Sequence, residues 1–90
     1  MIRHIVLFSM KKPADLDGMV HALLNLRSIP EVVALSCSRN LASSEFDAAL
    51  TVDVRDAEAL QAYREHPQHA PVLERMRDSC RRIDVADIEV

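Results

Sequence analysis

The chain has 90 residues, almost half of them apolar but few of them aromatic, and a formal net charge of −3. That length makes one domain, spanning 1–90, whose core is marginal alone, because chains of this size bury only roughly 60–65% of their unfolded surface. The negative charge excludes a strong nonspecific nucleic-acid mode, and the single glycine, Gly18, excludes the glycine-rich loops that cradle phosphates and dinucleotides.

Residues 2–10 alternate as a strand, with Ile2, His4, Val6, Phe8 and Met10 on one face and Arg3, Ile5, Leu7 and Ser9 on the other. Apolar residues at the centre of both faces imply a strand covered on both sides. Lys11-Lys12-Pro13 ends it. The spacing of Leu16, Met19, Val20, Leu23 and Leu24 predicts a helix over 14–27, closed by Ile29-Pro30. A second strand is expected over 31–39, with Val33, Leu35 and Cys37 on one face. A polar loop follows from Asn40 to Glu45. Residues 46–54 form the clearest strand, Phe46, Ala48, Leu50, Val52 and Val54 alternating with Asp47, Ala49, Thr51 and Asp53.

Asp56-Ala57-Glu58 opens a second helix carrying Leu60 and Tyr63. Pro67 disfavours helical geometry at His66, so this helix splits there, and Pro67 starts a second piece carrying Val72, Leu73 and Met76. A last strand runs over 82–90. The order β-α-β-β-α-β predicts an α+β, ferredoxin-like plait: a four-stranded antiparallel sheet with helices on one face. Its other face needs a cover, and a second copy of the chain supplies one, so a homodimer is expected.

The chemistry concentrates in Tyr63-Arg64-Glu65-His66-Pro67-Gln68-His69, which holds the only tyrosine and two of the four histidines. His4 lies in the apolar first strand. Tyrosine and histidine are the side chains here suited to moving protons. His69 is the candidate general base and Tyr63 the candidate acid or oxyanion donor; the bland alternative is that both pin the helix break to the sheet. His66 is expected to cap the second helical piece. His66 and His69 make half of a metal site with no third ligand at a suitable spacing, so neither metal nor cofactor is expected. His21 falls on the polar side of the first helix. Cys37 and Cys80 show no CxxC or zinc spacing and read as small hydrophobes. Asp47 and Asp87 read as sheet-edge or dimer-contact groups, or one of them orients a histidine. Arg75, Arg77, Arg81 and Arg82 alternate with Glu74, Asp78 and Asp84 as a salt-bridged helix face. The apolar opening segment is too short to span a bilayer and lacks the marks of a signal peptide. No membrane association is expected; the cytoplasm is the expected location, with both cysteines reduced.

The opening Met1-Ile2-Arg3-His4-Ile5-Val6-Leu7-Phe8, then Ile29-Pro30-Glu31-Val32, Phe46-Asp47-Ala48-Ala49-Leu50, Leu60-Gln61-Ala62-Tyr63, His66-Pro67-Gln68-His69 and Asp87 occur in an order and spacing that resembles the stress-responsive dimeric α/β-barrel domain family (Dabb) over essentially the whole chain. The resemblance implies two plaits paired sheet to sheet as a barrel with helices outside. In cyclase-type members a tyrosine and the second histidine of the His-Pro-x-His run act as the catalytic pair, which corresponds to Tyr63 and His69. The resemblance further implies a cavity between sheet and helices bordered by His4, Val6, Phe8, Met19, Leu23 and Ala48. Ala48 stands where cyclase-type members can carry a third-strand histidine, and Met19, Val20 and Leu23 replace the pocket aromatics of the first helix, so no substrate shape carries over.

Three readings stand at this stage. The first is a cofactor-free cyclase, lyase or isomerase acting on a ketone-bearing or aromatic metabolite. The second is a non-enzymatic dimer that binds an apolar small molecule or contributes to stress tolerance. The third is a cofactor-free monooxygenase, as in related dimeric barrels.

Overall fold

The computed structural model describes residues 1–42 and 44–90; of the polar loop expected over 40–45, Ser43 lies outside the described residues. The elements run β1 (Ile2–Met10), α1 (Leu16–Leu24), β2 (Ala34–Arg39), β3 (Ala48–Val54), α2 (Ala57–Glu65), α3 (His69–Ser79) and β4 (Cys80–Glu89). The sheet is antiparallel with strand order β2-β3-β1-β4. This is the β-α-β-β-α-β plait that the alternation and helical spacing predict, with the second helix in two pieces.

The register decides which residues meet. On the inner face, His4, Val6 and Phe8 of β1 lie opposite Val52, Leu50 and Ala48 of β3. On the other flank they lie opposite Asp87, Val85 and Ile83 of β4. Leu16, Met19 and Leu23 of α1, Leu60 and Tyr63 of α2 and Met76 of α3 close over this face in one core with Val6, Phe8 and the inner residues of β3. The outer face carries Ile5, Leu7, Ala49, Ala86 and the exposed Ile88, bounded by a two-pronged Arg3–Asp53 ion pair at 2.8 and 3.1 Å.

Element ends differ from the sequence expectation for local reasons. The helix expected over 14–27 is α-helical only from Leu16 to Leu24, with 3-10 turns at Pro13–Asp15 and Asn25–Ser28 on either side. The strand expected from 31 starts at Ala34, because Val32 N–H closes a turn on Ile29 C=O at 3.0 Å; Val33 stays exposed. β3 begins at Ala48, as the Phe46 C=O is taken by the Asn40 side chain. β4 begins earlier than expected, at Cys80. The basic cluster expected on one helix face is divided: Arg75 and Arg77 lie on α3, while Arg81 and Arg82 lie on β4, where Arg82 pairs with Asp84 and Glu45 and stacks over the Phe46 ring.

Both thiols are buried and free. Burial pushes Cys37 up to about 11 and raises Cys80 as well, so both stay protonated. Asp47 has a backbone role, its Oδ2 accepting from Met10 N–H at 2.7 Å.

Candidate functional site

The break between α2 and α3 creates the site. Asp56 caps α2, its Oδ1 accepting from Ala59 N–H at 2.9 Å, a contact typically worth about 1 kcal/mol. The helix stops at His66, which is extended at φ −62, ψ 138, the geometry that a following proline favours. The His66 ring Nδ1 accepts from Gln68 N–H at 3.1 Å and its carbonyl accepts from His69 N–H at 2.9 Å, so His66 shapes the turn between the two pieces. In an unbroken helix, residues six apart are about 240° apart around the axis and cannot meet. With the break, the Tyr63 and His69 rings pack edge to face, centroids 4.9 Å apart. Tyr63 meets His4 from the sheet in the same manner at 6.1 Å. The three residues singled out from the sequence therefore converge, with Tyr63 between two imidazoles.

Beside them lies a cavity of about 240 Å³. His4 and Val6 of β1, Leu50 of β3, and Ile83 and Val85 of β4 form its floor. Leu23 and Leu26 border it on one side, and Arg64, His69, Val72, Leu73 and Met76 on the other. Its wall is predominantly apolar, and its polar members are His4, Arg64 and His69. Of the residues expected on the wall, His4, Val6 and Leu23 are there. Phe8, Met19 and Ala48 are fully buried in the core and do not border the cavity. Phe8 and Ala48 face each other further along the sheet, where the packing is closed.

A chain of charged contacts holds the polar end. Asp87 lies directly across from His4, and its Oδ1 accepts from His4 Nδ1 at 2.6 Å. Its Oδ2 accepts from Arg64 Nη2 at 2.8 Å. Burial pushes the Asp87 carboxyl up, but the hydrogen bonds and charges of His4 and Arg64 outweigh burial and hold it below its usual range. Asp87 is ionised at neutral pH and fixes the His4 ring from the side away from its free nitrogen.

His69 is half-buried on the cavity wall. Burial, then the charges of His4 and Arg64, lower its proton affinity, so the imidazole is neutral at pH 7 and able to accept a proton. Tyr63 is the opposite case. It is fully buried, its hydroxyl has no hydrogen-bond partner among the described residues, and burial pushes its pKa up to about 12. It is a donor, not a base. It does not border the cavity, but touches two side chains that do. Leaving a buried hydroxyl unpaired costs about 1–3 kcal/mol, a penalty a purely structural phenylalanine would avoid.

Arg64 is a wall residue that sequence reasoning does not single out. Its one signal is its position beside Tyr63 within the histidine-rich run. Among the described residues no group of three or more His, Cys, Asp and Glu side chains is arranged to hold a metal ion, and no helix is long and apolar enough to cross a membrane.

A family model described as Stress responsive A/B Barrel Domain (Dabb) matches residues 2–90. No curated protein matches the chain. Among solved structures, a dimeric ferredoxin-like protein of unknown function from Thermobifida fusca is similar at 25% identity and a TM-score of 0.87, covering 99% of this chain and 90% of that one. A Dabb family protein with a ferredoxin-like fold from Mesorhizobium loti is 22% identical with a TM-score of 0.86, covering 99% and 95%. A hydroxynitrile lyase from Passiflora edulis is 18% identical with a TM-score of 0.88, covering 99% and 92%. The likeness to the last two is one of fold.

Proposed function

We propose, from the premise that the chain belongs to the stress responsive A/B barrel domain family, that it is a homodimeric barrel protein whose helix-side cavity transforms a small ketone-bearing or aromatic metabolite by proton transfer, without a cofactor. The observation that carries this reading is a neutral histidine on the wall of an apolar cavity, packed against a buried phenol with no hydrogen-bond partner.

In this mechanism the His69 imidazole removes a proton from the carbon next to the substrate's carbonyl. The electron pair moves toward the carbonyl oxygen, and the negative charge builds there. The Tyr63 hydroxyl, kept protonated by burial, donates to that oxygen. Reaching it requires the oxygen to enter between the His4 and His69 rings. His69 then returns the proton to the product, which makes cyclase and isomerase outcomes variants of one step; in a lyase outcome on a cyanohydrin His69 takes the hydroxyl proton instead, the C–CN bond breaks as the carbonyl forms, and the departing cyanide takes the proton. The hydroxynitrile lyase of similar fold is compatible with this chemistry.

The second copy covers the outer face of the sheet, where Ile5, Leu7, Ala49 and Ala86 make an apolar patch. Light scattering should give twice the chain mass, and a monomer would remove this part of the reading.

The test is turnover of a panel of β-diketones and cyanohydrins. His69→Ala should lower it about 10²–10⁴-fold and Tyr63→Phe about 10²–10³-fold, with the dimer intact in both. Full activity in both variants would reject these roles. The sealing of Tyr63 behind the wall supports a second reading, a cavity that binds an apolar molecule without converting it. Saturable binding with no product from any panel member would favour that reading.

A further inference from the structure

Among the described residues, the cavity lining holds one guanidinium and no carboxylate. Its polar residues are Arg64, His4 and His69. The nearest acid, Asp87, has both oxygens engaged, Oδ1 by His4 and Oδ2 by Arg64. A molecule entering the cavity therefore meets one guanidinium and two imidazoles, and no carboxylate. Asp87 takes only Nη2 of the guanidinium, and its other N–H groups have no protein partner among the described residues. The Arg64 side chain is 43% exposed, at the rim, while the residues beyond it are aliphatic. One guanidinium at the mouth of an apolar chamber matches a singly charged, planar anion on an apolar body.

We infer that the cavity selects an apolar carboxylate, with Arg64 binding the carboxylate at the rim and Leu23, Leu26, Val72 and Met76 holding the hydrocarbon. This rests on the reading of the cavity as the ligand site, and it narrows the substrate to an oxo acid whose carbonyl lies toward His69. Arg64 is close enough to His69 for its charge to disfavour protonation there. A bound carboxylate would neutralise that charge, so substrate binding would itself strengthen the base.

Binding of unreactive probes separates this inference from the question of turnover. Octanoate and n-octanol, equal in chain length, are titrated by calorimetry into the full-length wild type, Arg64→Met and Arg64→Lys at neutral pH. Octanoate should bind the wild type about tenfold or more tightly than octanol, the effect of one charged hydrogen bond, and should weaken with added salt while octanol does not. Arg64→Met should bring the two within about twofold of each other, and Arg64→Lys should keep part of the preference. The readout is a ratio, so general loosening lowers both affinities and leaves it unchanged, and Arg64→Met is compared with Arg64→Met/Asp87→Asn, in which no carboxylate is left unpaired to repel octanoate. Equal binding of the two probes by the wild type, no binding of either, or an undiminished preference in Arg64→Met would overturn the inference. If Arg64→Met does not fold, the wild-type ratio and its salt dependence decide. His69→Ala should leave the ratio intact, so undiminished turnover in that variant with the preference preserved would fail the proton-transfer mechanism and not the carboxylate.

Discussion

Strands β3 and β4 flank the same central strand and present the same inner face, yet they are treated differently. The inner residues of β3 are Ala48, Leu50, Val52 and Val54, all essentially inaccessible. Those of β4 are Ile83, Val85, Asp87 and Glu89, of which Val85 is 54% exposed. The helices close over one flank and leave the other open, and the cavity lies along the open one. Burial on the β3 side holds the fold together. The gap on the β4 side leaves room for charged groups and for a ligand. A small domain cannot give the same area to both, because every side chain moved away from a ligand chamber goes into the core that keeps the chain folded.

The widest separation of the two flanks should come from one substitution made on each. Val52→Ala should cost about 2–3 kcal/mol, from lost burial and the void left behind. Val85→Ala should stay within about 0.5 kcal/mol. Urea denaturation at fixed protein concentration measures both, and equal costs would break the contrast. A smaller effect of opposite sign is expected at Tyr63. Removing its unpaired hydroxyl as Tyr63→Phe should stabilise the protein by about 1 kcal/mol, while the proposed chemistry predicts that activity falls. A loss of stability instead would mean that the hydroxyl has a partner in solution.

The smallest effect concerns acid. The Asp87 carboxyl titrates below its ordinary range in the folded protein. Its contribution is therefore present above about pH 4, the unfolded value, and is lost as pH falls through the lower folded value. Asp87→Asn should cost roughly 0.5 kcal/mol at neutral pH, in line with a partly exposed pair, and should flatten the acid limb of a stability–pH curve. An unchanged acid limb would show that the pair contributes nothing.

The plait could be read from the sequence because its strands have one clearly apolar face and its turns carry proline or polar runs. The helix break could be read from Pro67 alone, and it is what brings Tyr63 and His69 together. The His4–Asp87 contact could be read only as one of several open roles for Asp87. It depends on the register between segments 83 positions apart, and alternation gives the face of a residue but not its partner across the sheet. For the same reason Phe8 and Ala48 could be assigned to the inner face but not to the closed part of it. Arg64 follows a fully buried residue on its helix, and nothing in its spacing says that the edge strand beside it would be left uncovered.

That long-range register has a kinetic side. β1 takes its place at the centre of the sheet through β3, but its other edge waits for the last strand of the plait, and pairs as distant as Ile2 and Glu89 close late in a folding reaction. The contacts among His4, Asp87 and Arg64 then form only as that strand docks. By the same logic, fraying of this outermost strand would dissolve the charged network while the β1-β3-β2 ladder persists. Occupancy of the cavity and closure of the sheet edge are thus two readouts of one local equilibrium, and a ligand gripping Arg64 would slow amide hydrogen exchange along β4 before it changed exchange anywhere else.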